Sequence, residues 1–486
     1  MGEKKRPYLF YDVVVSVCST CFQKIEAKTV FQDGKVFLLK RCPQHGHERV
    51  LIADDVEYYR RSREIFIKPP EMPLVYNTPV KWGCPYDCGL CTDHEQHSCL
   101  TLVEICDYCN LRCPVCYASS GPERQQFRDL KTIEKMLDAV VRNEGHPDVV
   151  QLSGGEPTLH PEFFTILGLA KARPIRHLMV NTNGVRIAED EAFVEKLASY
   201  AEDFEVYLQF DSFERGPLME LRGADLRRIR IEALERLNRY NIATNLVVTL
   251  KKGLNDGEIG KIIDYALQQG CVRGVTFQPI QIAGRLENFD PATDRLTLTE
   301  VRRQILEQTS VFKPEDIIPV PCHPDSLAMA YALKLRGKVT PLTSMIPPDV
   351  LINAAGNTIL YEQEEAVKES LFKLFATNHS PRSSAGSLRE LLCCVPKVFV
   401  PEGITYENIF RIIIMQFIDA HSFDLRSVKK TCVHIVHPDG RLIPFDTYNL
   451  FYRDELEVAR LAPLRQRAEE AQFSFSQPRA ATRANP

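Results

Sequence analysis

The sequence lacks three features that are typical of membrane-spanning, nucleic-acid-binding and secreted proteins, respectively. It has no run of about 18 uncharged apolar residues, so we expect no membrane-spanning helix. Its formal net charge of −4 over 486 residues is too small to predict a nucleic-acid-binding surface. Its first ten residues, MGEKKRPYLF, lack the apolar core of a secretory signal peptide. We therefore expect a cytoplasmic protein without a nucleic-acid partner.

Cysteine, in contrast, is abundant, with sixteen residues in the chain. In a reducing compartment cysteines serve as metal ligands or redox groups more often than as disulfides. The remaining composition, 44% hydrophobic and 26% charged, is that of an ordinary globular protein long enough for two or three domains. The cysteines therefore predict metal sites in an otherwise ordinary chain.

The most informative cysteines are Cys109, Cys113 and Cys116, which have the spacing C-x3-C-x2-C and follow an apolar run. Three neighbouring thiolates suit a 4Fe–4S cluster. Three ligands leave one iron open to chelate a small molecule, which for this spacing is most often S-adenosylmethionine. The alternative is a closed zinc knuckle, in which Cys106 would pair with Cys109 and Cys113 with Cys116.

Strand and helix patterns alternate after this loop, which predicts a parallel sheet with right-handed crossovers. Polar residues stand where the predicted strands end, and binding sites in such sheets lie at the carboxyl ends of strands. We therefore expect these residues to converge on one pocket. They are Gly154, Gly155 and Glu156 after one strand, Asn181 and Asn183 after the next, and Gln209 and Asp211 after a third.

Near the N-terminus two cysteine knuckles enclose a predicted hairpin whose turn is Asp-Gly. Three sulfurs and one imidazole fit tetrahedral zinc or a single iron, so this unit resembles a zinc ribbon or a rubredoxin-like site. We expect the metal to be structural or an electron relay. The predicted ligands are Cys18, Cys21, Cys42 and His45.

A second C-x3-C-x2-C triplet comprises Cys84, Cys88 and Cys91, and Cys99 follows as a candidate fourth ligand. Four ligands would close an auxiliary cluster, which would then serve electron transfer or structure rather than substrate binding. The nearby histidines His94 and His97 are expected to be solvated loop residues.

The C-terminal third is less regular. Its cysteines could ligate a second auxiliary cluster or could be buried, inert thiols, and the spacing leaves both readings open. The apolar segment from Ile409 to Ile418 predicts a core helix, or alternatively the wall of a tunnel. A helix is predicted after Thr297, and residues after 462 are predicted to be disordered. The cysteines in question are Cys322, Cys393, Cys394 and Cys432.

Residues from about 100 to 290 resemble a radical S-adenosylmethionine (SAM) core, a partial six-stranded α/β barrel. The resemblance implies that the reduced cluster splits SAM into methionine and a 5′-deoxyadenosyl radical, which takes hydrogen from an inert C–H bond. It implies that Cys109, Cys113 and Cys116 hold the catalytic cluster. It also implies that Gly154, Gly155 and Glu156 meet the methionine amino group, that Asn181, Asn183, Gln209 and Asp211 meet ribose and carboxylate, and that Tyr117 lies beside adenine.

The arrangement of the motifs, with CPQHG, CPYDCGLCTDHEQHSC and IPFDTYN, resembles the group of tetraether lipid synthases, some of which are labelled pterin-dependent methyltransferases. The resemblance implies several iron–sulfur clusters, a rubredoxin-like metal and carbon–carbon coupling of lipid chains. Asp446 stands where that group's motif has a cysteine. The alternative function is radical methylation or modification of a pterin or another small molecule. The partners implied are a small-molecule or lipid substrate, a ferredoxin or flavodoxin as electron donor, and the membrane surface.

These patterns predict an α/β fold, with a partial (β/α)6 radical SAM barrel between an N-terminal zinc-ribbon module and a C-terminal α+β extension. The expected divisions are residues 1–75 for the ribbon and linker, 76–100 for the auxiliary cluster, 101–290 for the core, 291–462 for the C-terminal domain and 463–486 for the tail.

Overall fold

The computed structural model describes residues 7–64, 72–320, 322–335, 337–344 and 408–476. Cys393 and Cys394, both predicted as ligands, lie outside the described residues. Three sheets are found among the described residues, with four, twelve and two strands.

The N-terminal sheet is antiparallel, and its strands pair in chain order. The predicted hairpin is confirmed. Asp33 and Gly34 form its turn with φ angles of 51° and 73°, and positive φ at both positions is what a tight two-residue hairpin turn requires. The strands are β1 (Leu9–Val17), β2 (Lys24–Gln32), β3 (Lys35–Cys42) and β4 (Gly46–Ala53), and the helix α1 (Val56–Glu64) follows.

A buried lysine fastens this sheet to the C-terminal part of the chain. Lys40 is 2% exposed, and its Nζ donates to the carbonyls of Val17 at 3.2 Å and Ala420 at 2.7 Å. The same Nζ lies 3.1 Å from Glu48 Oε2, and Glu48 Oε1 lies 2.6 Å from His421 Nδ1. Because a buried ammonium needs partners on every side, Lys40 fixes the distance between the ribbon and the loop at Ala420.

The large sheet contains the predicted alternation of strands and helices. Six neighbouring strands are parallel and follow one another in chain order. Their side chains are buried almost without interruption, as expected for a sheet covered on both faces. The curvature of a partial barrel remains a prediction. The strands are β5 (Leu100–Cys106), β7 (Val149–Gly154), β8 (His177–Thr182), β9 (Phe204–Gln209), β10 (Thr244–Leu250) and β11 (Val272–Pro279). The two-residue strand β6 (Val115–Cys116), in the cysteine loop, pairs with β12 (Arg285–Leu286).

Helices join these strands. The first begins where Asp129 accepts a hydrogen bond from the Thr132 amide. The last begins with a capping box of Thr297 and Glu300, which confirms the predicted threonine cap. The helices are α2 (Leu130–Glu144), α3 (Phe163–Lys171), α4 (Val185–Glu189), α5 (Glu191–Ala198), α6 (Arg215–Arg222), α7 (Arg227–Arg239), α8 (Ile259–Gln268) and α9 (Leu298–Gln308).

The C-terminal part extends the same sheet on both sides. The remaining strands and α-helices of the described residues are β13 (Ile318–Pro319), β14 (Leu327–Leu335), β15 (Lys338–Pro341), β16 (Ile409–Met415), α10 (Leu425–Lys429), β17 (Val433–Val436), β18 (Leu442–Pro444), α11 (Phe445–Thr447) and α12 (Ala462–Ser476). On one side β16 lies parallel to β11 and antiparallel to β14. On the other side β17 lies parallel to β5.

Two expectations for this part were wrong. The apolar segment that begins at Ile409 is the strand β16 rather than a core helix. Its β-branched run suits a strand that has partners on both edges. The tail is helical through Ser476 rather than disordered from residue 463. Arg465 donates to the Tyr86 carbonyl at 2.9 Å, and Glu469 accepts from Trp82 Nε1 at 3.0 Å.

Within the described part of the chain, no helix combines the length and the apolar character needed to cross a lipid bilayer.

Candidate active site

A cavity of about 160 Å³ lies at the carboxyl ends of the parallel strands. This is the position predicted from the polar strand ends. Asp211 was also predicted to face the pocket, but it does not line the cavity. It is fully buried and pairs with Arg222, which does line it. The predicted residues that line the cavity are Cys109, Cys113, Cys116, Tyr117, Gly154, Gly155, Glu156, Asn181, Asn183 and Gln209.

The three cysteines of the central motif face this cavity from the loop after β5. Their Sγ atoms do not all lie within 4.8 Å of one another. A single tetrahedral ion with metal–sulfur bonds of about 2.3 Å would hold its sulfurs closer than that, whereas a cubane binds each thiolate to a separate iron. Among the described residues, no histidine and no other cysteine lines the cavity. The donor set therefore fits a three-ligand cluster with an open corner.

The sulfur of Cys109 is buried next to an acidic side chain. Burial raises the pKa of the Cys109 thiol, and the Glu156 carboxylate raises it further. The Cys109 sulfur accepts from the Leu111 amide at 3.4 Å and from Asn183 Nδ2 at 3.8 Å. Cys106, the extra ligand of the zinc-knuckle alternative, instead donates to the Tyr108 carbonyl at 3.6 Å and does not line the cavity. The structure thus favours the cluster over the knuckle.

The two glycines of the predicted cradle pack against the cysteine loop. A Cβ on Gly155 would lie 2.0 Å from the Tyr108 carbonyl oxygen, and one on Gly154 would lie 2.2 Å from that of Cys106. The amides of Gly155 and Glu156 donate to these same carbonyls, each at 2.8 Å. Only glycine therefore allows strand β7 to hold the cysteine loop this closely.

The carboxylate of Glu156 accepts hydrogen bonds from donors of the protein itself. Oε1 accepts from the hydroxyls of Thr158 at 2.5 Å and Thr182 at 2.7 Å, and Oε2 accepts from the Asn183 amide at 2.7 Å. Burial raises the pKa of Glu156, and these hydrogen bonds oppose the rise. Glu156 therefore links the ends of β7 and β8. Its predicted contact with the methionine amino group remains a prediction.

A chain of hydrogen bonds crosses the ends of three strands. The Tyr117 hydroxyl lies 3.0 Å from Ser153 Oγ, and Asn181 Nδ2 donates to the same Oγ at 3.4 Å. Gln209 Nε2 donates to Asn181 Oδ1 at 3.0 Å, and Gln209 Oε1 accepts from Arg222 at 2.9 Å. This chain fixes the orientation of the amides that face the cavity.

Sequence reasoning missed Arg222, the last residue of α6. It lines the cavity beside Cys113, and its guanidinium pairs with Asp211. Arg230 lies 3.5 Å from Asp211 Oδ2, an oxygen that Arg222 also contacts. Burial would raise the pKa of Asp211, but the two arginines lower it overall. Arg222 thus places a fixed cation beside Cys113, and no local motif indicated it.

The ribbon ligands come together as predicted. Cys18, Cys21, Cys42 and His45 all lie within 4.8 Å of one another through their ligand atoms. His45 Nδ1 lies 3.5 Å from Cys42 Sγ and 3.6 Å from Cys18 Sγ, and the sulfurs of Cys21 and Cys42 are 3.9 Å apart. Around a tetrahedral ion with bonds of about 2.0–2.3 Å, such separations are the ones expected. The donor set therefore fits one zinc or one iron.

The second triplet is more widely spaced. The Sγ atoms of Cys84, Cys88 and Cys91 do not all lie within 4.8 Å of one another, which fits a cluster better than a single ion. The structure groups Cys99, their predicted fourth ligand, with Cys322 and Cys432 instead. The cause is the parallel pairing of β5 and β17, which sets Leu100 opposite Val433 and so brings the two preceding cysteines together.

The histidines near this group are not solvated, contrary to expectation. His94 is 4% exposed, and burial lowers its pKa to about 4. Its Nε2 lies 3.0 Å from the Thr431 carbonyl oxygen and 3.0 Å from His434 Nε2. The side chain of His97 is 13% exposed and pairs with Glu144.

Asp446, at the position of the expected cysteine, accepts hydrogen bonds from two other parts of the chain. It is 1% exposed, and it accepts from the Ile418 amide at 2.7 Å and from Thr431 Oγ1 at 2.8 Å. Burial is the main cause that raises its pKa to about 6. In this structure Asp446 therefore holds two loops together.

A wider cleft of about 700 Å³ lies next to the cavity and shares Ala283 with it. Its lining includes the apolar residues Phe22, Ile282 and Leu450 and several arginines. One of them, Arg453, makes a buried ion pair with Glu104 at 2.8 Å. The cleft is thus a second compartment, with a mixed polar and apolar wall, beside the predicted cofactor site.

Comparison with known families identifies the domain that builds this site. Residues 103–266 match the model of the radical SAM superfamily. The chain is a radical S-adenosylmethionine enzyme. A radical SAM domain implies a 4Fe–4S cluster and SAM, and the cysteines and cavity described above lie at the ends of its strands. Residues 10–54 match the model of the HMPTM N-terminal zinc ribbon domain.

Individual relatives extend beyond this domain. The 7,8-dihydro-6-hydroxymethylpterin dimethyltransferase of Methanocaldococcus jannaschii is 29% identical over 93% of this chain and 96% of its own length. The GTP 3′,8-cyclase of Pectobacterium atrosepticum is 26% identical over 46% of this chain and 68% of its own length. Among solved structures, SuiB of Streptococcus suis matches at a TM-score of 0.36 and 18% identity, over 43% of this chain and 45% of that one.

Proposed function

We propose that this radical SAM enzyme takes a hydrogen atom from an unactivated C–H bond of a substrate held in the cleft beside the cavity. The supporting observation is the three-cysteine loop, which faces a cavity that no further cysteine or histidine of the described residues lines. When bound, a reduced 4Fe–4S cluster with SAM supplies an organic radical that takes hydrogen from such a bond.

The protein's own contribution is to hold and orient. Cys109, Cys113 and Cys116 would hold the cluster. Glu156 fixes the ends of β7 and β8, so that the backbone around it faces the cofactor in one conformation. Tyr117 packs on Phe445 with ring centroids 5.1 Å apart and closes one wall of the cavity. These contacts would orient SAM and exclude water.

The remaining metal sites would have supporting roles. The ribbon would hold a structural zinc or an iron that relays electrons, and Cys84, Cys88 and Cys91 would hold an auxiliary cluster. The cluster chemistry also requires an external electron donor, and we propose a ferredoxin or a flavodoxin.

The first candidate substrate is a pterin or a similar polar heterocycle. A compact pocket of several hundred Å³ with polar groups in its wall suits a small molecule of this kind, and the cleft has about this size and lining. The long relative is also named for a pterin substrate. In this proposal the cleft residues would bind the heterocycle and the enzyme would methylate or otherwise modify it.

A second candidate is the coupling of lipid chains through a new carbon–carbon bond. The observation in its favour is a group of exposed apolar side chains in the segment after α1, which would suit contact with a membrane surface. They are Met72, Leu74, Val75, Tyr76 and Val80, with 40% to 72% of their surface exposed.

One pair of experiments tests the radical chemistry and the choice of substrate separately. The anaerobically purified full chain, with SAM and a reductant, is expected to release 5′-deoxyadenosine, and failure to do so would overturn the radical function. Mass spectrometry of lipids and pterins from cells with and without the gene then separates the substrates. A changed lipid profile with unchanged pterins would select lipid coupling, and the reverse would select the heterocycle.

A further inference from the structure

Three buried cysteines that are distant in sequence meet in one place. Cys99 precedes β5, Cys432 precedes β17, and Cys322 precedes β14. They are 1%, 2% and 5% exposed, respectively. All three Sγ atoms lie within 4.8 Å of one another, and those of Cys322 and Cys432 are 3.7 Å apart.

These separations indicate how many metal ions the three sulfurs would share. Around one tetrahedral ion with metal–sulfur bonds of about 2.3 Å, sulfur atoms lie about 3.8 Å apart. The ribbon, with 3.9 Å between the sulfurs of Cys21 and Cys42, has this spacing. The cluster-type triplets of Cys109 and Cys84 do not, because each exceeds the 4.8 Å limit. The cysteine group around Cys99 therefore matches a mononuclear site rather than a cubane.

A histidine stands beside Cys99, although its ring does not lie within 4.8 Å of all three sulfurs. His97 Nε2 lies 3.8 Å from Cys99 Sγ, close to the separation of about 3.6 Å between nitrogen and sulfur ligands of one tetrahedral ion. The other ring nitrogen, Nδ1, lies 2.9 Å from Glu144 Oε2. A carboxylate bound to the second nitrogen of a ligand histidine fixes the tautomer in which Nε2 carries no proton.

The carboxylate that orients the ring is itself held in place. Glu144 is the last residue of α2, and its Oε1 accepts from the Ser98 amide at 3.1 Å. One carboxylate therefore sets the tautomer of His97 and holds the backbone just before Cys99. A buried cysteine that only fills space in the core would not require an oriented histidine and carboxylate beside it.

We propose that Cys99, Cys322, Cys432 and His97 form a second mononuclear metal site that takes zinc or iron, with Glu144 as its positioning residue. The imidazole would turn from Cys99 toward the other two sulfurs when the ion binds. The sequence left a second auxiliary cluster and buried, inert thiols open for these cysteines, and the proposal takes the place of both. It holds for either candidate substrate. The ion would connect three chain segments that lie 223 and 110 residues apart.

Metal and sulfide counting tests this site on the full chain purified anaerobically. A 4Fe–4S cluster contains iron and sulfide in equal numbers, so iron plus zinc in excess of acid-labile sulfide counts the mononuclear ions. We expect an excess of two ions per chain, one from the ribbon and one from the new site. An excess of one in the unmodified protein would overturn the proposal, and this measurement requires no variant to fold.

Variants identify the ligands. In Cys432→Ser we expect the excess to fall by one ion while sulfide stays constant; a loss of four irons and four sulfides would instead establish a cubane. In His97→Ala we expect a chelator to remove the ion at least tenfold faster than from the unmodified protein, and Glu144→Gln should show a smaller effect in the same direction. His146→Ala is the control, since this exposed histidine lies two residues from Glu144. Equal release from the His97 and His146 variants would exclude His97 as a ligand.

Discussion

Arg222 and Asp211 form a two-point ion pair, with 2.7 Å between Nε and Oδ2 and 2.6 Å between Nη2 and Oδ1. The same Nη2 also donates to Gln209 Oε1 at 2.9 Å and to Thr249 Oγ1 at 2.8 Å. One side chain thus ties the end of α6 to β9 and β10 on the side of the cavity where Cys113 lies. The relationship places a fixed cation next to a predicted cluster ligand.

Replacing this cation should be costly. In Arg222→Gln, Asp211 would lose its closest charged partner. The Thr249 amide and Arg230 would still contact it, but removing one partner of a buried ion pair lowers the free energy of unfolding by roughly 3 kcal/mol. Thermal unfolding measures the effect. Arg228→Gln is the matched control because the Arg228 side chain is 84% exposed and pairs with Glu232 across one helical turn. Equal melting temperatures for the two variants would contradict the role given to Arg222.

Removing a cluster ligand should abolish the chemistry. Cys113→Ala is expected to lose about four irons and four sulfides per chain and to release no 5′-deoxyadenosine. Cys271→Ala, which removes a buried thiol outside the cavity lining, should keep both. The measurements are metal analysis and chromatography of the reaction mixture. Normal 5′-deoxyadenosine release by the Cys113 variant would refute the assignment of the central motif.

The Glu156 carboxylate should matter for cofactor affinity. In Glu156→Gln one oxygen becomes an amide donor that faces the hydroxyl or amide donors of Thr158, Thr182 and Asn183, so the strand ends would move apart. We expect the Kd for SAM to rise about tenfold, or about 1.4 kcal/mol. Equilibrium dialysis measures it, with the exposed Glu162→Gln as control. An unchanged Kd would show that the carboxylate does not shape the site.

Asp446 should make stability depend on pH. Its pKa in the folded protein is raised from 3.8 to about 6, so the folded state binds the proton more tightly than the unfolded state. This tighter proton binding by Asp446 stabilises the folded state fully below about pH 4, and the stabilisation is lost as pH rises to 6. The difference is about 3 kcal/mol. Asp446→Asn removes this titration, so its stability relative to the unmodified protein should increase between pH 4 and pH 7 in thermal unfolding. A constant difference between the two proteins would contradict the raised pKa.

Local patterns in the sequence predicted the parts of this protein that depend on local spacing. The order of the parallel strands followed from alternating patterns, and the polar strand ends followed from the rule that such ends share one edge of a sheet. The three ligand pairs Cys18–Cys21, Cys88–Cys91 and Cys113–Cys116 were recognisable because each pair lies within one short loop.

The features that were missed depend on contacts between distant residues. Cys99 lies close to Cys84 and Cys88 in sequence, but strand pairing places it beside Cys432, and no spacing rule indicates that pairing. Arg222 belongs to an ordinary helix end and becomes important only because β9 and β10 meet there. The strand β16 was taken for a helix because short apolar runs carry no clear period.

The contact between Lys40 and the carbonyl of Ala420 has a consequence for any attempt to shorten the enzyme. Ala420, His421 and Phe22 line the cleft, so the ribbon supplies part of the wall around the proposed substrate. Deleting residues 1–54 would not yield a smaller working catalyst. It would open one side of the cleft to water and remove the Lys40 hydrogen bond that holds the Ala420 loop in place.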